Sequence, residues 1–259
     1  MTVAQVRQHW VQTPQGKLYA EDWTPLAAHG APFILLHDSL GCVALWREFP
    51  ERLAQATGRR VIAYDRLGFG RSDAHPGQLT ADFVQAEAHE GFAAVCAQLG
   101  VEDFVVFGHS VGGGMAVNCA AAYAAQCQGL ITESAQAFVE ALTLEGIRAA
   151  DQQFRDPGQM QRLARYHGDK AHWVLRAWVD NWLSEAFAAW SLDAQLPNVR
   201  CPVLSLHGEL DEFGSPAHPQ RITDLVAGPS ILRLLQGCGH VPHREQPTVV
   251  LETIGQFLA

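Results

Sequence analysis

The sequence has no Cys-x-x-Cys pair, no basic segment followed by an apolar stretch near its start, and no apolar run long enough to span a bilayer. A membrane span needs about 18 or more apolar residues, and a secretory leader needs the basic-then-apolar order. Neither is expected, so the chain is expected to be cytoplasmic and to have no membrane partner. Its six cysteines, Cys42, Cys96, Cys119, Cys127, Cys201 and Cys238, are scattered. They fit small buried hydrophobes in a reducing compartment better than a disulfide framework or a metal site. Basic residues are also scarce: 18 Lys and Arg against 27 Asp and Glu leave a net charge of −9, which argues against a nucleic-acid or anionic-membrane surface. Neither Gly68-Phe-Gly-Arg-Ser-Asp nor Gly112-Gly-Gly completes a dinucleotide fingerprint or a Walker loop. In His240-Val-Pro-His243 the proline spoils a regular helix and no third ligand is indicated, so no metal and no cofactor are expected. The remaining partner is a small-molecule substrate. At 259 residues, 48% hydrophobic and 17% charged, the chain has the make-up of an ordinary folded protein without a low-complexity tail.

The most informative stretch is Asp103-Phe-Val-Val-Phe-Gly-His-Ser-Val-Gly-Gly-Gly, a short apolar run leading through Gly108-x-Ser110-x-Gly112 into a small-residue helix. A serine on a tight strand-to-helix turn is held in a strained backbone conformation. Side chains two residues to either side would collide, which explains glycine at 108 and 112. The turn lifts the Ser110 hydroxyl clear of the sheet and points the first N–H groups of the helix, Val111 foremost, at a carbonyl under attack. A serine is a poor nucleophile until a base takes its proton, and the base needs a carboxylate to fix its tautomer. Asp211 follows the apolar run at Val203, and His240 follows the run at Ile231. Each is expected just past the carboxyl end of a strand, where open α/β sheets place their sites.

With these residues in hand, the chain resembles the α/β-hydrolase superfamily, in particular a serine-nucleophile, esterase-like branch with a helical cap. Four further segments carry the likeness. Leu36-His37-Asp38-Ser39-Leu40-Gly41 looks like the oxyanion loop, and Tyr64-Asp65-Arg66-Leu67-Gly68-Phe69-Gly70-Arg71-Ser72-Asp73 looks like the segment after the fourth strand. Leu206-His-Gly-x-x-Asp211 and Gly239-His240-x-Pro-x-x-x-Glu245-x-Pro247 look like the acid and base loops. The resemblance implies Ser110, Asp211 and His240 as catalytic residues, with the Ser39 and Val111 amides as the oxyanion hole. Asp38 departs from the pattern, since the family usually has glycine there. A carboxylate aimed at a developing oxyanion would oppose catalysis, so Asp38 is expected to point away.

Apolar runs at 6–11, 17–23, 32–37, 60–64, 104–107, 129–132, 203–206 and 231–235 give a hairpin followed by strands that alternate with helices. Helical stretches are expected at 46–57, at 80–99 with Thr80 as cap and Gly100 as stop, at 111–125 and at 248–258. Alternation predicts an α/β fold with a mostly parallel sheet covered on both faces, eight-stranded if the resemblance holds. The core is expected from 1–134 and 198–259, with 135–197 as a helical cap or lid. Within it Trp173, Trp178, Trp182, Phe187 and Trp190 either pack the insertion onto the core or line an apolar pocket; Leu40, Trp178 and Trp182 are the pocket candidates.

Other ionisable residues compete for roles. Glu133, Glu209 and Glu212 rival Asp211 as the acid, but Asp211 alone fits the His-Gly-x-x-Asp spacing. His109 is expected to shape the site rather than act as base, and His37 to donate within its loop. A serine at 110 disfavours the chemistry of relatives that need a carboxylate nucleophile. The expected activity is cleavage of an ester-like bond in a small apolar substrate through an acyl-enzyme. A carbon–carbon bond hydrolase or a cofactor-free perhydrolase or haloperoxidase could use the same residues, and a non-catalytic receptor or scaffold is the alternative of a different class.

Overall fold

A computed structural model describes residues 4–259, and the apolar runs assemble into a single eight-stranded sheet. The strands are β1 (Gln5–Thr13), β2 (Gly16–Thr24), β3 (Phe33–Leu36), β4 (Val61–Tyr64), β5 (Phe104–His109), β6 (Cys127–Glu133), β7 (Val203–Gly208) and β8 (Ser230–Leu235). Their spatial order is β1-β2-β4-β3-β5-β6-β7-β8. The β1–β2 hairpin is antiparallel and β2 runs antiparallel to β4; every other neighbouring pair is parallel. Every residue of β3, β4, β5 and β7 is buried, as expected of parallel strands covered on both faces.

Alternation along those strands divides the core. Ile34, Leu36, Ile62, Tyr64 and Val106 feed one cluster; Phe33, Leu35, Val61, Ala63, Val105 and Phe107 feed the other. The helices are α1 (Phe49–Thr57), α2 (Phe83–Ala86), α3 (Gly91–Gln98), α4 (Val111–Ala122), α5 (Ala141–Gln153), α6 (Pro157–His167), α7 (Ala171–Trp182), α8 (Ala217–Leu225), α9 (Pro242–Glu245) and α10 (Pro247–Phe257). Leu53 of α1 and Val250 and Ile254 of α10 cover the second face. Phe92 and Met115 cover the first, together with Ile147, Val174 and Trp182 from α5 and α7. Helices α5, α6 and α7 therefore interrupt the alternation between β6 and β7, and they share the core of one sheet face. All six cysteines are free, and five are buried. Among the described residues no helix is long and apolar enough to cross a membrane.

Three local expectations need correction. The helix expected from Trp46 starts only at Phe49, because Trp46 ends a short 3-10 turn and Arg47 follows in the left-handed region at φ 53°. That kink seats the buried Trp46 ring against Phe49 and Phe107. The helix expected over 80–99 is two helices, with Asp82 rather than Thr80 preceding the first. The chain breaks at Glu90 (φ −106°, ψ −97°), and a Cβ on Gly91 would run into the Glu87 carboxylate. Helix α8 was not anticipated, since Pro219 in its first turn masks the periodic pattern.

Glu87 gives a test of this region. Its carboxylate accepts the Tyr64 hydroxyl at 2.5 Å, and burial pushes its pKa up to about 7 despite the opposing pull of Arg66. Between the ordinary carboxylate range and that value the folded chain holds a proton that the unfolded chain has released, so wild-type stability falls as pH rises through the window. Glu87→Gln has no such proton and can still accept from Tyr64. Its melting temperature relative to wild type is expected to rise from about pH 5 to about pH 8; a difference independent of pH would contradict the assignment.

Candidate active site

At the carboxyl end of β5 the chain turns through Ser110 at φ 56°, ψ −126°, a conformation costly for a residue with a side chain. Close approach explains the flanking glycines: a Cβ on Gly108 would meet the backbone of Gly112, and one on Gly112 would meet the Leu36 carbonyl. The Ser110 N–H donates to the Glu133 carbonyl (2.8 Å), which pins the turn to β6. Val111 opens α4, where helix N–H groups lack intrahelical partners.

Asp211 lies just past β7 and His240 past β8, on the same edge of the sheet. His240 Nδ1 donates to both Asp211 oxygens, at 2.8 and 2.9 Å. Nε2 is thereby left as the free ring nitrogen. Asp211 also accepts from the Phe213 N–H at 2.8 Å. Burial raises its pKa, but the His240 bond and charge and the Phe213 N–H outweigh that, so it sits below the usual carboxylate range. The His240 loop is held by Glu245, which accepts from the Gly239 N–H (2.7 Å) and the Val241 N–H (3.0 Å) on either side of the histidine. This is the physical content of the Gly-His-x-Pro-x-x-x-Glu spacing.

The rival acids lie elsewhere. Glu209 and Glu212 are exposed. Glu133 is fully buried and accepts from His243 Nδ1 at 2.5 Å, so it is paired with a different histidine. His109, Glu133 and His243 bring ligand-type atoms within 4.8 Å of one another. Glu133 bonds His243, and His109 is held by two other groups.

Those two groups account for Asp38. His109 Nε2 donates to the His240 carbonyl at 2.8 Å, and Nδ1 faces an Asp38 oxygen at 3.4 Å. Both partners are acceptors, which favours the doubly protonated ring. Burial disfavours that charge, yet the Asp38 bond and the Glu133 and Asp38 carboxylates outweigh it and raise the pKa. The other Asp38 oxygen accepts from the Leu40 N–H (3.0 Å). The carboxylate that departs from the family pattern is thus turned onto the His109 ring and the Leu40 N–H. His109 thereby links the Asp38 loop, the Ser110 turn and the His240 loop. His37 behaves as expected: Nδ1 donates to the Asp38 carbonyl (2.8 Å) and Nε2 accepts from the Arg66 N–H (3.2 Å).

Ser110, His240, Ser39 and Asp38 open onto one cavity of about 170 Å³, walled also by Leu40, Ile147, Trp178, Trp182 and Phe213. Leu40, Trp178 and Trp182, the pocket candidates, all line this cavity. Trp182 is also core, 2% exposed and packed on Phe187 and Trp190. Trp173 lies away from the cavity, against Phe69 and His75. Three positions escaped sequence reasoning. His167 of α6 accepts from the Gly70 N–H (2.8 Å) and bonds the Leu40 carbonyl (2.9 Å), tying two loops together. Phe213 packs its ring against His240 at 4.9 Å between centroids. Gln136, just past β6, takes the Ser110 hydroxyl as donor to its Oε1 at 3.4 Å, so in this structure that hydroxyl is turned to Gln136 rather than to His240.

A model of the alpha/beta hydrolase fold matches residues 31–182. The chain belongs to this family. Its relatives include the proline iminopeptidase of Lactobacillus delbrueckii subsp. bulgaricus, 25% identical over 90% of this chain and 91% of that protein. Among solved structures, a proline iminopeptidase of Mycobacterium smegmatis is 25% identical with a TM-score of 0.73, covering 97% of each chain. A thermophilic esterase from Thermogutta terrifontis shares the fold at a TM-score of 0.74 and 23% identity, over 97% of this chain and 98% of that one. Membership of the α/β-hydrolase family and these relatives support hydrolase chemistry.

Proposed function

We propose that this α/β-hydrolase cleaves an ester-like bond of a small apolar substrate through an acyl-enzyme, with Ser110 as nucleophile, His240 as base and Asp211 as the acid. The observation that carries the reading is His240: Nδ1 is committed to both oxygens of a buried carboxylate, while the ring shares a cavity with a serine on a strained turn. Substrate entry turns the Ser110 hydroxyl from Gln136 to His240 Nε2, which takes its proton as Oγ attacks the carbonyl. The Ser39 and Val111 N–H groups receive the oxyanion. His240 then protonates the leaving alcohol, and the same ring activates the water that frees the acid. In this reading residues 135–197 form a cap over a core of 1–134 and 198–259.

The walls of the cavity beside Ser110 are mainly apolar and aromatic, Leu40, Ile147, Trp178, Trp182 and Phe213, which favours short and medium apolar acyl groups. The test is a series of p-nitrophenyl esters from acetate to decanoate, run beside proline p-nitroanilide because of the iminopeptidase relatives. Turnover centred on the shorter esters is expected. Turnover confined to the anilide would overturn the ester reading.

The two cavity tryptophans should behave differently. Trp178 is half-buried beside Phe213, with centroids 5.9 Å apart, and removing its ring mainly enlarges the cavity. Trp178→Ala is expected to raise kcat/KM for octanoate relative to butyrate by about 0.8 kcal/mol for each added methylene accommodated, with a small change in melting temperature. Trp182→Ala empties core and should lower stability by about 3–5 kcal/mol. An unchanged chain-length profile in Trp178→Ala would remove that ring from the pocket wall.

A further inference from the structure

Gln136 is 3% exposed, yet its amide forms a single hydrogen bond among the described residues, the long one at 3.4 Å from Ser110 Oγ. The backbone around it is firmly fixed. Ser134, at φ 49°, turns the chain out of β6 while its N–H donates to the Leu206 carbonyl (2.9 Å), and the Ala137 N–H donates to His218 Nδ1 at 3.1 Å. The side chain thus lines a cavity shared with Leu40, Ile147, Trp178, Trp182 and Phe213. Its Nε2 has no protein partner among the described residues and opens into that cavity, so two amide donors are available to a polar group of the substrate. Neither seating the serine nor lining an apolar pocket requires those donors.

We propose that Gln136 is a specificity-determining residue that recognises a hydroxyl on the carbon next to the substrate's carbonyl. The inference rests on the acyl-enzyme reading above. The tetrahedral carbon formed on attack carries four substituents. One is Ser110 Oγ, one is the oxyanion directed at the Ser39 and Val111 amides, and one is the leaving oxygen, which must face His240 to receive its proton. The fourth is the acyl α-carbon, which this proposal sets against Gln136. A hydroxyl there lies about as far from Oγ as the amide itself does. When Ser110 turns to His240, Oε1 loses its bond and can accept from the substrate hydroxyl, while Nε2 donates to the same oxygen. A site built this way discriminates against the analogue lacking the hydroxyl, because the amide is then left unpaired in the transition state.

The test compares methyl 2-hydroxybutyrate with methyl butyrate, each kcat/KM divided by that ester's rate of hydroxide-catalysed hydrolysis to remove intrinsic reactivity. The wild type is expected to favour the hydroxy ester by about tenfold or more, and Gln136→Leu to bring the ratio close to one. Should Gln136→Leu fold poorly, Gln136→Met serves, and 2-hydroxybutyrate should also bind Ser110→Ala protein more tightly than butyrate does. A ratio near one in the wild type, or a preference that survives in the variant, overturns the inference while leaving the ester reading intact. If neither ester is turned over and Ser110 accepts no organophosphonate, the acyl-enzyme reading itself fails, and this inference with it.

Discussion

Ser110→Ala is expected to abolish ester hydrolysis, lowering kcat by on the order of 10⁵ or more, while the protein melts close to the wild-type temperature. The two parts of this expectation have separate causes. The activity falls because no other hydroxyl stands on the strained turn between β5 and α4. The fold survives because alanine keeps the Cβ and leaves the backbone strain unchanged, and among the described residues the only side-chain hydrogen bond removed is the 3.4 Å contact with Gln136. Hydrolysis of p-nitrophenyl butyrate and a thermal melt on one preparation read both. Wild-type turnover in a folded variant would remove Ser110 from the mechanism.

Asp211→Asn and Glu133→Gln separate the two buried acids. Asparagine at 211 can donate to His240 Nδ1, which favours the tautomer with its proton on Nε2 and leaves no lone pair to receive the serine proton. A loss of about 10³ to 10⁴ in kcat is expected, with KM little changed. Holding Asp211 below the ordinary carboxylate range also has a pH consequence. Its contribution to stability is present above the unfolded carboxylate pKa and is lost only as pH falls through the lower folded value, so the wild type keeps this partner charged in mild acid. Glu133 accepts from His243 instead, and burial lowers the His243 pKa, so a glutamine oxygen at 133 can still accept from the neutral ring. Glu133→Gln is expected to lower stability by about 1.5–3 kcal/mol while kcat falls far less than in Asp211→Asn. A silent Asp211→Asn beside a dead Glu133→Gln would exchange the two roles.

Much of the fold was legible because its signals are local. The strands are short apolar runs, and Ser110 stands between glycines that close backbone approach demands. The Asp211 and His240 loops follow their strands at spacings set by short-range bonds such as those from Glu245. What escaped depends on distant partners. The raised pKa of His109 follows in part from Asp38 and the His240 carbonyl, which only the folded sheet edge brings to its two nitrogens. Gln136 is an unremarkable glutamine after a strand until Ser134 turns it toward Ser110. The break at Gly91 is set by the Glu87 carboxylate beside it, and the kink at Arg47 by the burial of Trp46. His167 acts through Gly70 and Leu40, neither of which its own helix periodicity could reveal.

The most direct measurement is covalent labelling with a fluorophosphonate, followed by mass mapping of the adduct. A serine activated by a base and facing an oxyanion site should be phosphonylated at one equivalent per chain, on the peptide containing Ser110, in the wild type and in Glu133→Gln but slowly in Asp211→Asn. An unlabelled folded protein, or an adduct on any other residue, would contradict the assignment of Ser110 as an activated nucleophile.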